Sequence, residues 1–302
     1  MGALLSCLPA LLSLVFQTAM RVPEAQLEIR LESIHSKQFE NDRTLRILLP
    51  PAYDSPDRAK ERYPVLYLND GQDLYDSATS TFHSGAWLLR DRMEALYRAD
   101  LVAPIIIVGI DNAGHVLRPN EYLPWPDSTL RPAMPNPHGA LYPDFVVHDV
   151  LPFVNSHYRT QPEARVTGIG GASYGALAAI YTVQREPGYF GRLLIESPSV
   201  YSDDYHLLSI VKSMTVVPER ISIGVGTDED GDSSCTPGQK PEEEMSDTMR
   251  LLAAFAQVAD GRSAIVSNVT ECARHSARAF GLRFPDAVRF LYPPSGNALR
   301  AD

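Results

Sequence analysis

The chain has 302 residues, 44% of them hydrophobic and 21% charged, an ordinary globular composition with enough length for one α/β domain with a full core. A formal net charge of −10 without any Lys/Arg-rich run excludes a nucleic-acid surface. The three cysteines, Cys7, Cys235 and Cys272, exclude a disulfide scaffold, their spacing forms no zinc motif and H-E-x-x-H is absent, so neither a metal nor a cofactor is expected.

Met1 to Met20 carries no charge, and the run from Ala3 to Phe16 resembles the apolar region of a signal peptide. It lacks a positive leader, Gln17-Thr-Ala19 is a poor cleavage site, and Leu4-Leu-Ser-Cys7 lies too near the start to serve as a lipobox. Pro9 and the short length argue against a stable membrane span. Residues 1–20 are therefore read as a signal peptide or N-terminal extension, with Met20 as an alternative start and with export, periplasmic or secreted, preferred to a cytoplasmic location. Once Cys7 is removed, Cys235 and Cys272 remain either as a pair bracing the site or as two unpaired surface thiols.

From Gln26 onward, strand-like and helical runs alternate. Gln26–Ser33 and Thr44–Leu49 read as opening antiparallel strands, closed off by Pro50-Pro51. Pro64–Asn69 and Pro104–Ile110 are near-continuous apolar runs, as parallel strands buried on both faces should be. Between them Ser84–Tyr97 reads as a helix that buries Trp87, Leu88, Met93, Leu96 and Tyr97. Asn112–Tyr142 is proline-rich and irregular, and Tyr122 and Trp125 within it are expected to form a substrate-facing wall, against the alternative of a stiff surface loop packed on its own aromatics. Pro143–Tyr158 is a helix with proline at its start. Strands follow at Arg192–Ile195, Arg220–Val225 and Ser263–Ser267, with an amphipathic helix at Pro241–Ala259. This rhythm predicts an α/β fold in residues 26–302, a single domain built on a mostly parallel, doubly wound sheet with helices on both faces.

The stretch Arg165-Val-Thr-Gly-Ile-Gly-Gly171-Ala-Ser173-Tyr-Gly175-Ala carries the chemistry. An apolar β-branched run enters glycines, one serine follows, and small helix formers come next. This is the G-x-S-x-G layout of a nucleophile elbow, in which a strand turns into a helix within about two residues. The glycines leave room for the turn, and the helix points its positive end at a developing oxyanion. A dinucleotide fingerprint fails because Ser173 stands where G-x-G-x-x-G needs its third glycine, and no Gly-Lys-Ser/Thr follows to make a P-loop.

A serine nucleophile needs a base, and the base needs an acid that holds its tautomer. In the chain order Ser, acid, His, two histidines follow Ser173. His206 precedes the strand at Arg220–Val225, whereas His275 follows the last strand, so His275 is the expected base. Gly226-Thr-Asp228-Glu229-Asp230-Gly-Asp232 sits at a strand's carboxyl end, where sheet enzymes build sites. Glu229 is the expected acid, with Asp228 and Asp230 behind it and Glu196 the outside choice. The oxyanion donors are expected at Tyr174 N–H and, from the Asp70-Gly71-Gln72-Asp73 turn, at Gln72 N–H. Arg274 and Arg278 flank His275 and would lower its pKa if they pointed inward.

With these positions in hand the chain resembles the putative-esterase group of α/β-hydrolases, which includes esterase D-type formylglutathione hydrolases, feruloyl and acetyl-xylan esterases, enterochelin esterases and mycolyltransferases. The resemblance runs from about Ser33 to Tyr292 through Tyr63-Pro-Val-Leu-Tyr-Leu-Asn-Asp-Gly-Gln72, Ile107-Val-Gly-Ile-Asp-Asn112 with Arg118, Asp149-Val-Leu-Pro-Phe-Val, the elbow, Glu196-Ser-Pro198 and Gly226-Thr-Asp-Glu229. It implies an α/β-hydrolase fold, a nucleophile at Ser173, an acid at Glu229 and a base at His275. The implied chemistry is hydrolysis of a small-molecule or carbohydrate-linked ester through an acyl-enzyme. The surroundings of His275 depart from the family pattern, which often has a glycine before the histidine and a carboxylate or amide soon after. Two alternatives stay open: an acyltransferase of the same fold, and a non-catalytic ligand-binding protein on a hydrolase scaffold.

Overall fold

The structure is a computed structural model that describes residues 26–81, 85–128, 130, 133–231, 235–236 and 243–294. The leader of residues 1–20, with Cys7, and Asp232 lie outside the described residues. Among those described, no helix is long and apolar enough to cross a membrane.

Eight strands form one sheet in the order β1-β2-β4-β3-β5-β6-β7-β8. β1 (Ile29–Ser36) and β2 (Asn41–Leu48) make an antiparallel pair, and β2 meets β4 (Ile106–Ile110) antiparallel. From β4 onward every pairing is parallel, through β3 (Val65–Asn69), β5 (Thr167–Ser173), β6 (Arg192–Pro198), β7 (Arg220–Gly226) and β8 (Ala264–Thr270). This is the expected α/β-hydrolase sheet. The opening strands lie a few residues from their expected bounds, because both run on to a tight turn at Lys37–Glu40 in the middle of the expected connection.

Alternation along the strands divides the core into two layers. Leu66, Leu68, Ile107 and Leu194 face one side, where α1 (Leu89–Arg98) and α8 (Ala277–Leu291) contribute Met93, Leu96, Phe284 and Val288. Val65, Tyr67, Val108, Leu193 and Ile195 face the other, under the helices that lie between β4 and β8 in the chain. Those are α2 (Arg118–Tyr122), α3 (Tyr142–Asp144), α4 (Leu151–His157), α5 (Tyr174–Arg185), α6 (Ser202–Lys212) and α7 (Glu243–Ala259).

Two helices depart from their expected form. The helix expected from Ser84 begins at Leu89, because Leu88 takes a left-handed conformation (φ 58°, ψ 42°) that no helix propagates. Trp87 is buried as expected, but Leu88 is 42% exposed. The helix expected at Pro143–Tyr158 runs as α3, a π-helical stretch at Phe145–Val150, then α4. Pro152 has no N–H to give, so an α-helical ladder cannot pass through it without a missing rung. α6 was not marked by the sequence pattern, and its first turn holds Asp203, Asp204 and Tyr205 at positive φ.

Cys235 and Cys272 form a disulfide that ties the segment before α7 to the loop after β8, with their Cα atoms 5.5 Å apart. The bond closes a loop of sequence separation 37, which in the chain-entropy account is worth about 3–4 kcal/mol. Replacing both cysteines with serine is expected to lower the unfolding free energy by that amount, read as a lower urea midpoint, with an m-value that rises because the unlinked denatured chain is less compact.

Candidate active site

Ser173 ends β5 and starts α5, at φ 57° and ψ −128°. Such a backbone is costly for any residue with a Cβ and survives because its surroundings enforce it. Two glycines make the turn possible. A Cβ on Gly171 would stand 2.8 Å from the carbonyl of Gly175, and one on Gly175 would stand 2.7 Å from Asp70 Oδ2. The elbow is thus packed against the end of β3 as well as against itself.

That end of β3 is a buried polar brace. Asn69 Nδ2 donates to Gly175 O at 2.7 Å, and Tyr142 donates its hydroxyl to Asn69 Oδ1 at 2.6 Å. Arg118 grips both Asp70 oxygens, at 2.7 and 2.8 Å, and donates to Ala172 O at 3.2 Å. Asn112 Nδ2 donates to the same Asp70 at 2.6 Å. A planar guanidinium held twice by one carboxylate is well suited to fixing the carbonyl just before Ser173.

The expected wall residues belong to this brace. Tyr122 is 1% exposed, accepts the Asp70 N–H at 3.2 Å and packs edge-on against Tyr142. Trp125 is 9% exposed, with its ring on Tyr181 and on His206 at a centroid distance of 4.6 Å. Neither lines the cavity at Ser173, which corrects their reading as a substrate-facing wall. The loop is long because it carries α2 and a bridge between Asp127 and Met134, and its aromatics are consumed in burying them. The aromatic faces of the cavity are instead Trp87 and Phe280, whose rings contact one another at 5.8 Å.

His275 stands on the cavity wall with Ser173. Its Nδ1 meets Glu229 Oε2 at 2.8 Å, and its backbone N–H donates to Glu229 O at 3.1 Å. Among the described residues of the acidic run, Glu229 is the carboxylate that reaches the ring. Asp228 turns to Arg274 at 3.4 Å, Asp230 is exposed, and Glu196 is held by Arg283 at 2.6 Å. The other oxygen of Glu229 accepts from Ser197 Oγ at 2.7 Å and from Gly226 N–H. Burial opposes ionisation of Glu229, but the hydrogen bonds from His275, Ser197 and Gly226 outweigh it and hold its pKa below the ordinary value.

The flanking arginines do not depress His275. Arg274 is 63% exposed and spent on Asp228, and Arg278 points to solvent. Burial lowers the imidazole pKa, yet hydrogen bonds and charge from Glu229 and Glu244 prevail and raise it to about 9. His206 lies on α6 against Trp125 and does not line the cavity.

Ser173 Oγ is hydrogen-bonded to Ser199 Oγ at 3.2 Å. Of the expected oxyanion donors, Tyr174 opens α5 directly after Ser173, and Gln72 lies in the short turn Gly71–Asp73 that follows β3. Both are buried, and Gln72 Oε1 accepts the Asn112 N–H at 3.1 Å, which fixes that turn. Among the described residues two groups bring three His, Asp or Glu ligand atoms within 4.8 Å of one another: Asp144, His148 and Glu186 outside the site, and Glu229, Glu244 and His275 within it.

Residues 36–291 match the family model described as Putative esterase. The chain belongs to this esterase family. Ester hydrolysis is accordingly the general activity class of the protein. Solved structures share the esterase's fold. An IroE-like serine hydrolase from Shewanella oneidensis superposes with a TM-score of 0.67 at 19% identity, covering 88% of this chain and 80% of that one. A ferulic acid esterase gives 0.62 at 16% identity, covering 89% and 99%. The enterobactin esterase FES of Shigella flexneri gives 0.65 at 20%, and 89% of the present esterase spans 59% of that chain. In sequence, the uncharacterized protein YbbA of Bacillus subtilis is 18% identical over 266 residues, 87% of this esterase and 98% of the relative.

Some side chains that shape the esterase's site carry no local sequence signal. Ser199, just after β6, and Glu244, on α7, are each brought to the site by tertiary packing. Arg118 was legible only as part of the family pattern.

Proposed function

We propose that the protein is a serine carboxylic-ester hydrolase in which Ser173 is the nucleophile, His275 the general base and Glu229 the orienting acid. The observation that carries this reading is the 2.8 Å contact between His275 Nδ1 and Glu229 Oε2 in a cavity that Ser173 also lines. With Nδ1 engaged, Nε2 is the nitrogen left to receive the serine proton. Ser173 Oγ leaves Ser199, attacks the ester carbonyl carbon and passes its proton to His275. The oxyanion accepts hydrogen bonds from the Tyr174 and Gln72 N–H groups. Collapse expels the alcohol, protonated by His275, and leaves an acyl-serine. Water, deprotonated by the same imidazole, then releases the acid.

The cavity beside Ser173 has a volume of about 90 Å³ and is walled by Trp87, Ala172, Ala277 and Phe280. A recess this small, with aromatic and alanine walls, favours an acetyl or similarly short acyl group over a feruloyl one. The disulfide adds support for an exported enzyme, because such bonds persist in oxidising compartments.

A fluorophosphonate probe and a panel of p-nitrophenyl esters test the assignment together. The expected result is one phosphonyl group per chain, recovered by mass spectrometry on the peptide containing Ser173, with acetate and propionate esters cleaved faster than octanoate or ferulate. A folded protein that neither labels nor cleaves any ester would instead be a binding protein on this scaffold.

A further inference from the structure

The base nitrogen that meets Glu229 has a second carboxylate beside it. Glu244, in the first turn of α7, sets Oε1 3.3 Å from His275 Nδ1, against 2.8 Å for Glu229 Oε2. A neutral imidazole has one N–H, and that hydrogen makes one well-aligned bond. Glu229 takes it, being closer and held on its far oxygen by Ser197 and Gly226. Glu244 is therefore placed to act on the ring through charge more than through a shared hydrogen.

We propose that Glu244 is a positioning residue for the base, and that its charge sets the pH range over which His275 is able to activate Ser173. This rests on the reading of His275 as the general base.

The surroundings of His275 support a net negative field. From its own loop, Arg274 is mostly exposed and paired with Asp228 at 3.4 Å, while Arg278 is exposed. From α8, Phe280 packs its ring edge-on at 5.1 Å, and Arg283 is committed to Glu196 and Ser197, with Nη2 4.0 Å from the far oxygen of Glu229. On α7, Glu243 lies against the Tyr205 hydroxyl at 3.3 Å. Across the cavity, Asp70 is saturated by Arg118 and Asn112, and Asp73 accepts the Thr81 N–H at 2.8 Å. Two carboxylates thus crowd one imidazole nitrogen, and Arg283 approaches one of them from its other side. The imidazolium is the form this arrangement prefers, in line with a pKa raised to about 9. The base must shed that proton before it can accept one from Ser173. Activity should then climb with pH up to and past that value, with a small active fraction at neutrality.

Glu244→Gln keeps the shape and removes the charge. The acid limb of kcat/KM for p-nitrophenyl acetate is expected to move down by about one unit, a tenfold change in proton affinity. The alkaline plateau should fall by a smaller factor, since a less basic imidazole is a weaker catalyst. The two profiles then cross, and the variant is faster than wild type at pH 7. Glu244→Asp, which restores the charge on a shorter stem, should return the limb part of the way.

An independent reading comes from NMR titration of the His275 ring in protein labelled with ¹³C-histidine, the signal assigned by its loss in His275→Gln. A midpoint near that of the kinetic limb, lowered by about one unit in Glu244→Gln, is the expected result. Midpoints that coincide in wild type and variant overturn the proposal and leave the triad reading untouched. A ring midpoint that moves while the rates ignore it removes His275 as the base, and with it the catalytic consequence drawn for Glu244.

Discussion

Ser173→Ala is expected to lower kcat/KM for p-nitrophenyl acetate by about 10⁶-fold, close to 8 kcal/mol of transition-state stabilisation. The size follows from the covalent path. Without Oγ there is no acyl-enzyme, and what remains is the effect of the cavity and the oxyanion donors on attack by water, worth about 10³–10⁴ over the uncatalysed reaction. The fold should hardly notice. Alanine keeps the Cβ and therefore the same strain at φ 57°, ψ −128°. What is lost is the hydrogen bond to Ser199, itself 1% exposed, at a cost of about 1 kcal/mol. Equal melting curves with unequal rates would separate chemistry from folding. Among the described residues Ser199 is the hydroxyl bonded to Ser173, so Ser173→Ala/Ser199→Ala should be no slower than Ser173→Ala alone. Retention of the wild-type rate in Ser173→Ala would move the nucleophile elsewhere.

What the sequence made legible, and what it did not, divides along a physical line. Buried parallel strands announce themselves as unbroken apolar runs, so Val65–Asn69 and Ile106–Ile110 were readable within two residues. The elbow was readable because its constraint is steric, and only glycines fit where Gly171 and Gly175 sit. Chain order sorted His275 from His206 because both strands and loops were already placed. Within the acidic run, however, order has nothing to say. Glu229 differs from Asp228 and Asp230 by where its carboxylate lands, and that is decided by Ser197 and Gly226 on neighbouring strands. The aromatic loop misled for a related reason. Tyr122 and Trp125 look like ligand contacts in isolation, but a segment that carries its own helix needs apolar surface to bury, and these rings supply it. Charged pairs formed across the fold, such as Arg118 with Asp70, have no periodicity to detect.

The pair formed by Arg283 and Glu196 is where stability and catalysis meet. Arg283 is 2% exposed and Glu196 1%. Arg283 Nε donates to Glu196 Oε2 at 2.6 Å and Nη2 donates to Ser197 Oγ at 3.0 Å, and Ser197 in turn donates to Glu229. Even so paired, burial lifts the Glu196 pKa to about 7. Replacing Arg283 with Met leaves that carboxylate buried without its cation, which is expected to cost about 3–5 kcal/mol. The pH dependence fixes the cause. A carboxylate whose folded pKa lies above its unfolded value binds more protons folded than unfolded between the two, so its contribution to stability declines as pH rises through that window. In wild type the window closes near pH 7. Without Arg283 the folded pKa climbs further and the window stays open, so the deficit should be smaller at pH 5, where Glu196 is neutral, than at pH 8. Urea unfolding at the two pH values measures this directly. Adding Glu196→Gln removes the charge and should recover much of the loss at pH 8, whereas a deficit that is the same at both pH values would mean lost packing around Arg283 rather than a stranded charge. The stability rescue should not restore turnover in full, because Ser197 still lacks the donor that steadies it against Glu229, and the carboxylate that meets His275 Nδ1 is then held less firmly.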